Sequence, residues 1–219
     1  MPNFQGKVTL QNCPVVTGTV QPWPVDYQAS DFAPGGSEAS AAQAAGKYFH
    51  LQGDTQLTAF MNNGELREGL YYVEGKVTIS KGSLHGHVTI VATKEINISG
   101  TGENWQPYTR CLFLLSTKAV SYNQAAINIS GGSSRWEGVI YTPNGGLQIS
   151  GSGNTIPRGA LIGRGVHLSG GNLNLTGMDF GDCASAAVTN QPPVVNAGPD
   201  QAIALPASAA LAGNVFDDG

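Results

Sequence analysis

Arg135 and Glu137 stand two residues apart in Ser134-Arg135-Trp136-Glu137-Gly138, which puts a guanidinium and a carboxylate on one face if the segment is extended. Glycoside cleavage needs two carboxyl groups facing each other across the scissile bond. The neighbouring acids are Glu74, Glu95, Glu103 and Asp179, and no Asp lies between residues 55 and 178. Glu95 meets Glu137 only if strand register permits. Glu137 with Arg135 is therefore the catalytic candidate, set against a solvated corner salt bridge, which the isolated charges favour. His85 and His87 form a His-x-His pair whose rings share one strand face, the start of a zinc site if a third ligand joins them. His167 is the one distant candidate, and no spacing brings it near, so exposed strand positions are the expectation. No metal and no cofactor is expected.

A second set of side chains is suited to binding rather than catalysis. Asn97, Asn128, Gln148, His167 and Asn174 each sit mid-strand between apolar residues. If those neighbours point inward, the five point outward together as a polar stripe, suited to weak contact with sugars or another surface protein. A merely solvated strand face is the competing reading. Ser80, Ser99, Ser130, Ser150 and Ser169 form a further rank, which local hydroxyl hydrogen bonds at corners explain. Thr78, Thr89, Thr93 and Thr176 do not form the regular Thr-x-Thr ranks that ice binding requires.

These positions depend on a repeat. Val77-Thr78-Ile79-Ser80, Ile96-Asn97-Ile98-Ser99-Gly100, Ile127-Asn128-Ile129-Ser130-Gly131, Leu147-Gln148-Ile149-Ser150-Gly151 and Val166-His167-Leu168-Ser169-Gly170 recur every ~20 residues, with one step of roughly 30. Between them run more continuously apolar strands, His87–Val91, Cys111–Leu115, Gly138–Tyr141 and Gly159–Gly163, as expected of strands covered on both faces. Short elements at Leu84, Trp105, Trp136, Ile156 and Leu173 complete a coil. The 30 glycines supply corners with positive φ. The expected fold is all-β: a three-sided parallel β-helix of about five coils over residues 67–182. Ile79, Ile98, Ile129, Ile149 and Leu168 should form one inward stack, and Ile90, Leu114, Ile140 and Ile162 another.

The flanks differ in composition. Residues 1–30 read as further solenoid edge strands and a Pro-rich hinge. Residues 31–66 read as a small helical cap over the solenoid end, with Ser37 as N-cap and a second short helix ending at Asn62-Asn63-Gly64. Residues 183–193 read as a linker and 194–219 as a separate tail. Cys13, Cys111 and Cys183 leave one thiol over from any single pairing. Cys13–Cys183 is the pairing considered, with Cys111 expected as a buried free thiol at the head of an apolar strand. The net charge of −4 with 11 scattered Lys and Arg argues against a nucleic-acid partner. No stretch has membrane-spanning length.

Two resemblances follow from these residues. Asn190-Gln191-Pro192-Pro193-Val194, Ala197-Gly198-Pro199-Asp200-Gln201 and Asp218-Gly219 resemble the opening strands of a PKD-type immunoglobulin-like module, here a partial one. That resemblance implies an extracellular or cell-envelope setting. The run Gly69-Leu70-Tyr71-Tyr72-Val73-Glu74-Gly75-Lys76-Val77-Thr78-Ile79, with Trp136-Glu137-Gly138-Val139-Ile140-Tyr141-Thr142-Pro143-Asn144-Gly145, resembles the β-solenoid domains of bacterial pilus-assembly proteins of the PilX or TadG sort, and more distantly the bactofilins. It implies a β-solenoid and assigns no catalytic residue. The resulting expectation is a non-enzymatic structural or adhesive scaffold of a bacterial surface or secreted protein. Its expected partners are surface glycans or envelope and pilus proteins, and it is expected as a monomer open to end-to-end assembly. The alternatives are a carbohydrate-binding or polysaccharide-cleaving β-helix and a self-assembling solenoid polymer.

Overall fold

The computed structural model describes residues 27–121, 123–178 and 183, and the backbone of two short strands at 194–196 and 214–216. Helices α1 (Ala29–Phe32) and α2 (Ser37–Ala44) come first. The strands are β1 (Tyr48–Gln52), β2 (Thr55–Gln56), β3 (Met61–Asn62), β4 (Glu65–Leu66), β5 (Gly69–Glu74), β6 (Val77–Ile79), β7 (His85–Ala92) and β8 (Ile96–Ser99). They continue as β9 (Asn104–Gln106), β10 (Leu112–Ser116), β11 (Ala125–Ser130), β12 (Arg135–Ser150), β13 (Thr155–Leu168), β14 (Asn174–Leu175), β15 (Val194–Asn196) and β16 (Asn214–Phe216).

Parallel pairing sorts β1–β14 into three series, with only the β3–β4 hairpin antiparallel. The first series is β2, β6, β8, β11 and the last parts of β12 and β13. The second is β1, β5, the last part of β7, β10 and the middles of β12 and β13. The third, shorter series is β4, the start of β7, β9, the starts of β12 and β13, and β14. The result is a parallel β-solenoid in which like residues stack.

Ile79 pairs with Ile98, Ile98 with Ile129, Ile129 with Ile149, and Ile149 with Leu168. The four isoleucines are buried, and Leu168 packs against them partly exposed. In the second series Ile90, Leu114 and Ile140 stack as expected, but the next residue in register is Leu161. Ile162 pairs with Tyr141 and packs on the opposite side. With a side-chain period of two, a one-residue error reverses the direction of the side chain.

The Ser-Gly corners have a steric explanation. Gly131, Gly151 and Gly170 have φ of +123°, +108° and +108°. A Cβ on Gly131 would lie 1.6 Å from the Gly100 carbonyl oxygen, and one on Gly151 1.7 Å from that of Gly131. Successive corners stack backbone on backbone, which leaves no volume for a side chain.

The N-terminal helices lie on the flank. Tyr27, Phe32 and Ala42 share a buried cluster with Leu70, Val91, Leu112, Leu115 and Val139, the outward residues of the second series. These strands are apolar on both faces because the helices cover the outer one. Residues 48–66, expected within an end cap, instead form the first coil, in which Tyr48 pairs with Leu70 and Thr55 with Val77. Asn63 and Gly64, at φ 50° and 82°, make a two-residue hairpin turn between β3 and β4 rather than a helix end. Only Leu57–Phe60 is helical there, as a 3₁₀ turn. Ser37 is the first residue of α2, and Gly36 is its N-cap, without a capping side chain.

Residues 185–219 are a separate compact unit, in which β15 pairs antiparallel with β16. The edge strands and hinge expected at 1–30 lie outside the described residues up to residue 26, as does Cys13.

Candidate functional site: a neutral polar ladder on the first sheet face

The first series carries an outward rank. Gln56 pairs with Thr78, Thr78 with Asn97, Asn97 with Asn128, Asn128 with Gln148, and Gln148 with His167. Adjacent rungs of a sheet lie ~4.8 Å apart, so the middle of this face presents amide, hydroxyl and imidazole groups at a regular step. The apolar neighbours on either side of each residue point into the core, as with Ile127 and Ile129 around Asn128. Asn97, Asn128, Gln148 and His167 make no hydrogen bond to another side chain among the described residues. Their polar groups face solvent and are open to a ligand.

The serine rank runs beside it. Ser80, Ser99 and Ser169 are exposed, while Ser130 donates to the Ile98 carbonyl and Ser150 to that of Ile129, each at 3.4 Å. These two hydroxyls are partly engaged by the backbone, in line with a corner role. At the C-terminal end of the face, Gly146 and Gly165 lower the surface into a shallow depression of about 400 Å³, bounded by Asn123, Gln124, Gln148 and His167.

Asn174 does not belong to this rank. It lies on β14 and pairs with Thr155, on the third face. Its resemblance to the Asn-x-apolar rungs misled because, among the described residues, the element after β13 is the short third-face strand β14.

The catalytic and metal candidates share that third face without converging. Arg135 pairs with Asn104 and Thr155, and its guanidinium is ion-paired with the Glu137 carboxylate. Glu137 stands in register with Arg158. Glu95 immediately precedes β8 on the first face and is ion-paired with Lys118 at 2.9 Å, which holds its carboxyl below the usual range. The two acids therefore sit on different faces. Glu74 is paired with His50 at 2.9 Å. His85 and His87 are both exposed, beside Glu65 and Glu68 in a shallow depression. Among the described residues no group of three His, Cys, Asp or Glu is placed to hold a metal ion.

Glu103 behaves differently. It is 2% exposed in a corner of the core, between Trp105 and Trp136. Trp105 Nε1 donates to Oε2 at 3.3 Å, and Oε1 has no hydrogen-bond partner among the described residues. Burial pushes the carboxyl up from its ordinary value; the two indoles oppose that shift, although the Trp136 N–H makes no well-formed bond. The neighbouring corner is polar too: the Glu103 amide donates to Ser134 Oγ at 3.2 Å, and the Ser134 amide to Asn154 Oδ1 at 3.2 Å. At that burial Glu103 belongs to the packed corner and not to the outward ranks.

The cysteine expectation is corrected. Cys111 is bonded to Cys183, with Cα atoms 5.1 Å apart. The long repeat step holds an insertion, and Cys111 ends its first part, just before β10, at φ 53°. Cys111 is therefore half-buried and outside the strand it was expected to open, which begins at Leu112.

The residue that spacing did not single out is Arg110. It pairs with Asp31 at 3.3 Å and Glu38 at 3.9 Å, and Tyr27 donates its hydroxyl to the Arg110 carbonyl at 2.7 Å. Its only signal in the sequence was its place in the one long step of the repeat. Among the described residues no helix is long and apolar enough to cross a membrane. Comparison with known proteins returns no matching family model, no matching curated protein and no matching solved structure.

Proposed function

We propose that this chain is a non-catalytic β-solenoid scaffold of a bacterial surface or secreted protein, which presents its first face for weak adhesion to neutral glycans. The observation that carries the reading is the Asn97–Asn128–Gln148–His167 rank: regularly spaced, outward and, among the described residues, without side-chain partners. Sugar hydroxyls both donate and accept, and side-chain amides match them in both roles. The middle rank carries no Asp, Glu, Lys or Arg, which suits an uncharged ligand. Glu74, Glu95 and Glu137 argue against hydrolysis, each being held in its own ion pair, with Glu103 buried, whereas catalysis gathers perturbed groups in a cleft.

The Cys111–Cys183 bond supports the extracytoplasmic setting, because disulfides persist where the compartment is oxidising. The PKD-like tail and the pilus association rest on sequence resemblance. A polysaccharide panel tests the whole. Retention of neutral glycans that is lost when Asn97, Asn128 and Gln148 are changed together to Ala, with no product released, supports the reading. Turnover that disappears in Glu137→Gln overturns it in favour of an enzyme.

A second reading, end-to-end stacking of solenoids, is favoured by the last coil. Val166 is 43% exposed there, and Leu161, Leu168, Leu173 and Leu175 are only partly buried. Sedimentation over a concentration series separates the two readings: a monomer at all concentrations excludes stacking.

A further inference from the structure

We infer that Thr109-Arg110-Cys111 is a load-bearing junction, through which tension between the chain before Tyr27 and the chain after Cys183 passes without loading the coils. The inference rests on the geometry of the junction alone and does not depend on the glycan or localisation reading.

Two closed loops meet at this junction. The first runs from Tyr27 through the early coils to Arg110 and is closed without covalent bonds. Tyr27 donates its hydroxyl to the Arg110 carbonyl at 2.7 Å, and the guanidinium lies over the Tyr27 ring, 5.4 Å from its centroid. The same guanidinium reaches Asp31 at 3.3 Å and Glu38 at 3.9 Å, and Thr109 Oγ1 donates to Glu38 at 2.7 Å. The Arg110 side chain is only 16% exposed, so these charge-assisted contacts are shielded from water better than surface pairs. The second loop runs from Cys111 to Cys183, 72 residues apart, and its closure is covalent.

The junction itself is seated on the sheet. The Thr109 amide donates to Thr89 Oγ1 at 3.1 Å, and the Val139 amide to the Cys111 carbonyl at 2.7 Å. A solenoid held rung to rung and pulled from its first coil would peel one rung at a time, since each coil contacts only its neighbours. Here the pull reaches Arg110 before it reaches β1, crosses one peptide bond to Cys111, and leaves through the disulfide. The coils from β10 to β14 lie inside the covalent loop and cannot be extended at all while it is closed.

Single-molecule force spectroscopy on the full chain, held at its two ends, tests this. The oxidised protein should give one dominant high-force event, with extension from the segment ahead of Cys111 and from the tail after Cys183 but none from the loop between them. Reductant should add the 72-residue segment. Arg110→Ala, or Asp31→Asn with Glu38→Gln, should abolish the high-force event, whereas Lys94→Ala, at an exposed pair elsewhere, should leave it unchanged. If Arg110→Ala fails to fold, Tyr27→Phe, which removes only the hydroxyl, should lower the force of that event. Serial low-force steps in the oxidised wild type would overturn the inference. So would an unchanged event in clamp variants whose thermal melting matches wild type.

Discussion

Trp105 donates its indole N–H to Oε2 of Glu103 at 3.3 Å inside a corner of the core, where the other carboxylate oxygen has no hydrogen-bond partner among the described residues. Burial raises the Glu103 pKa above its unfolded value. Below the ordinary carboxylate range both states are protonated, and the buried acid carries no ionic penalty. As pH rises through that range the unfolded chain releases its proton first, so stability falls until the folded-state pKa is passed. Glu103→Gln is therefore expected to match wild type in acid and to melt higher at neutral pH. Thermal melting of both proteins across a pH series checks this; a variant no more stable than wild type at neutral pH would contradict it.

The corner glycines give a steric test. Gly131→Ala requires a side chain at φ +123°, against the Gly100 carbonyl, whereas Gly171 has open space around it. Gly131→Ala should lose cooperative melting or show a large drop in melting temperature. Gly171→Ala should melt close to wild type.

Core truncation should follow position in the stack. Ile129 is enclosed between Ile98 and Ile149, while Leu168 has a stacking partner on one side among the described residues. Ile129→Ala should cost about 2–5 kcal/mol in chemical denaturation. Leu168→Ala should cost distinctly less, because its methyl groups are already partly exposed and leave a smaller cavity.

Deletion of residues 194–219 should leave the melting of the solenoid nearly unchanged. The tail falls in a separate compact unit from residue 185 onward, and few contacts cross such linkers. A large fall in melting temperature would make the tail part of the core.

The first-face register was legible because it is local: period two decides which side chains point inward, and the recurring Ile-x-Ile-Ser-Gly phrase places Asn97 over Asn128 without further information. The need for a cover over Val91, Leu115 and Val139 was legible too, since strands apolar on both faces must be buried on both. The identity of that cover was not. Nothing local separates a helix that caps an end from one that lies along a flank; that choice depends on where complementary apolar surface is left, and Phe32 and Ala42 found it on the second series. Ile162 and Asn174 were misplaced because the register drifts at corners and in the last coil, where the repeat weakens. The Cys111–Cys183 bond and the Arg110 clamp join residues far apart in the chain, and such pairs are selected by the path of a loop through space, which residue spacing does not encode.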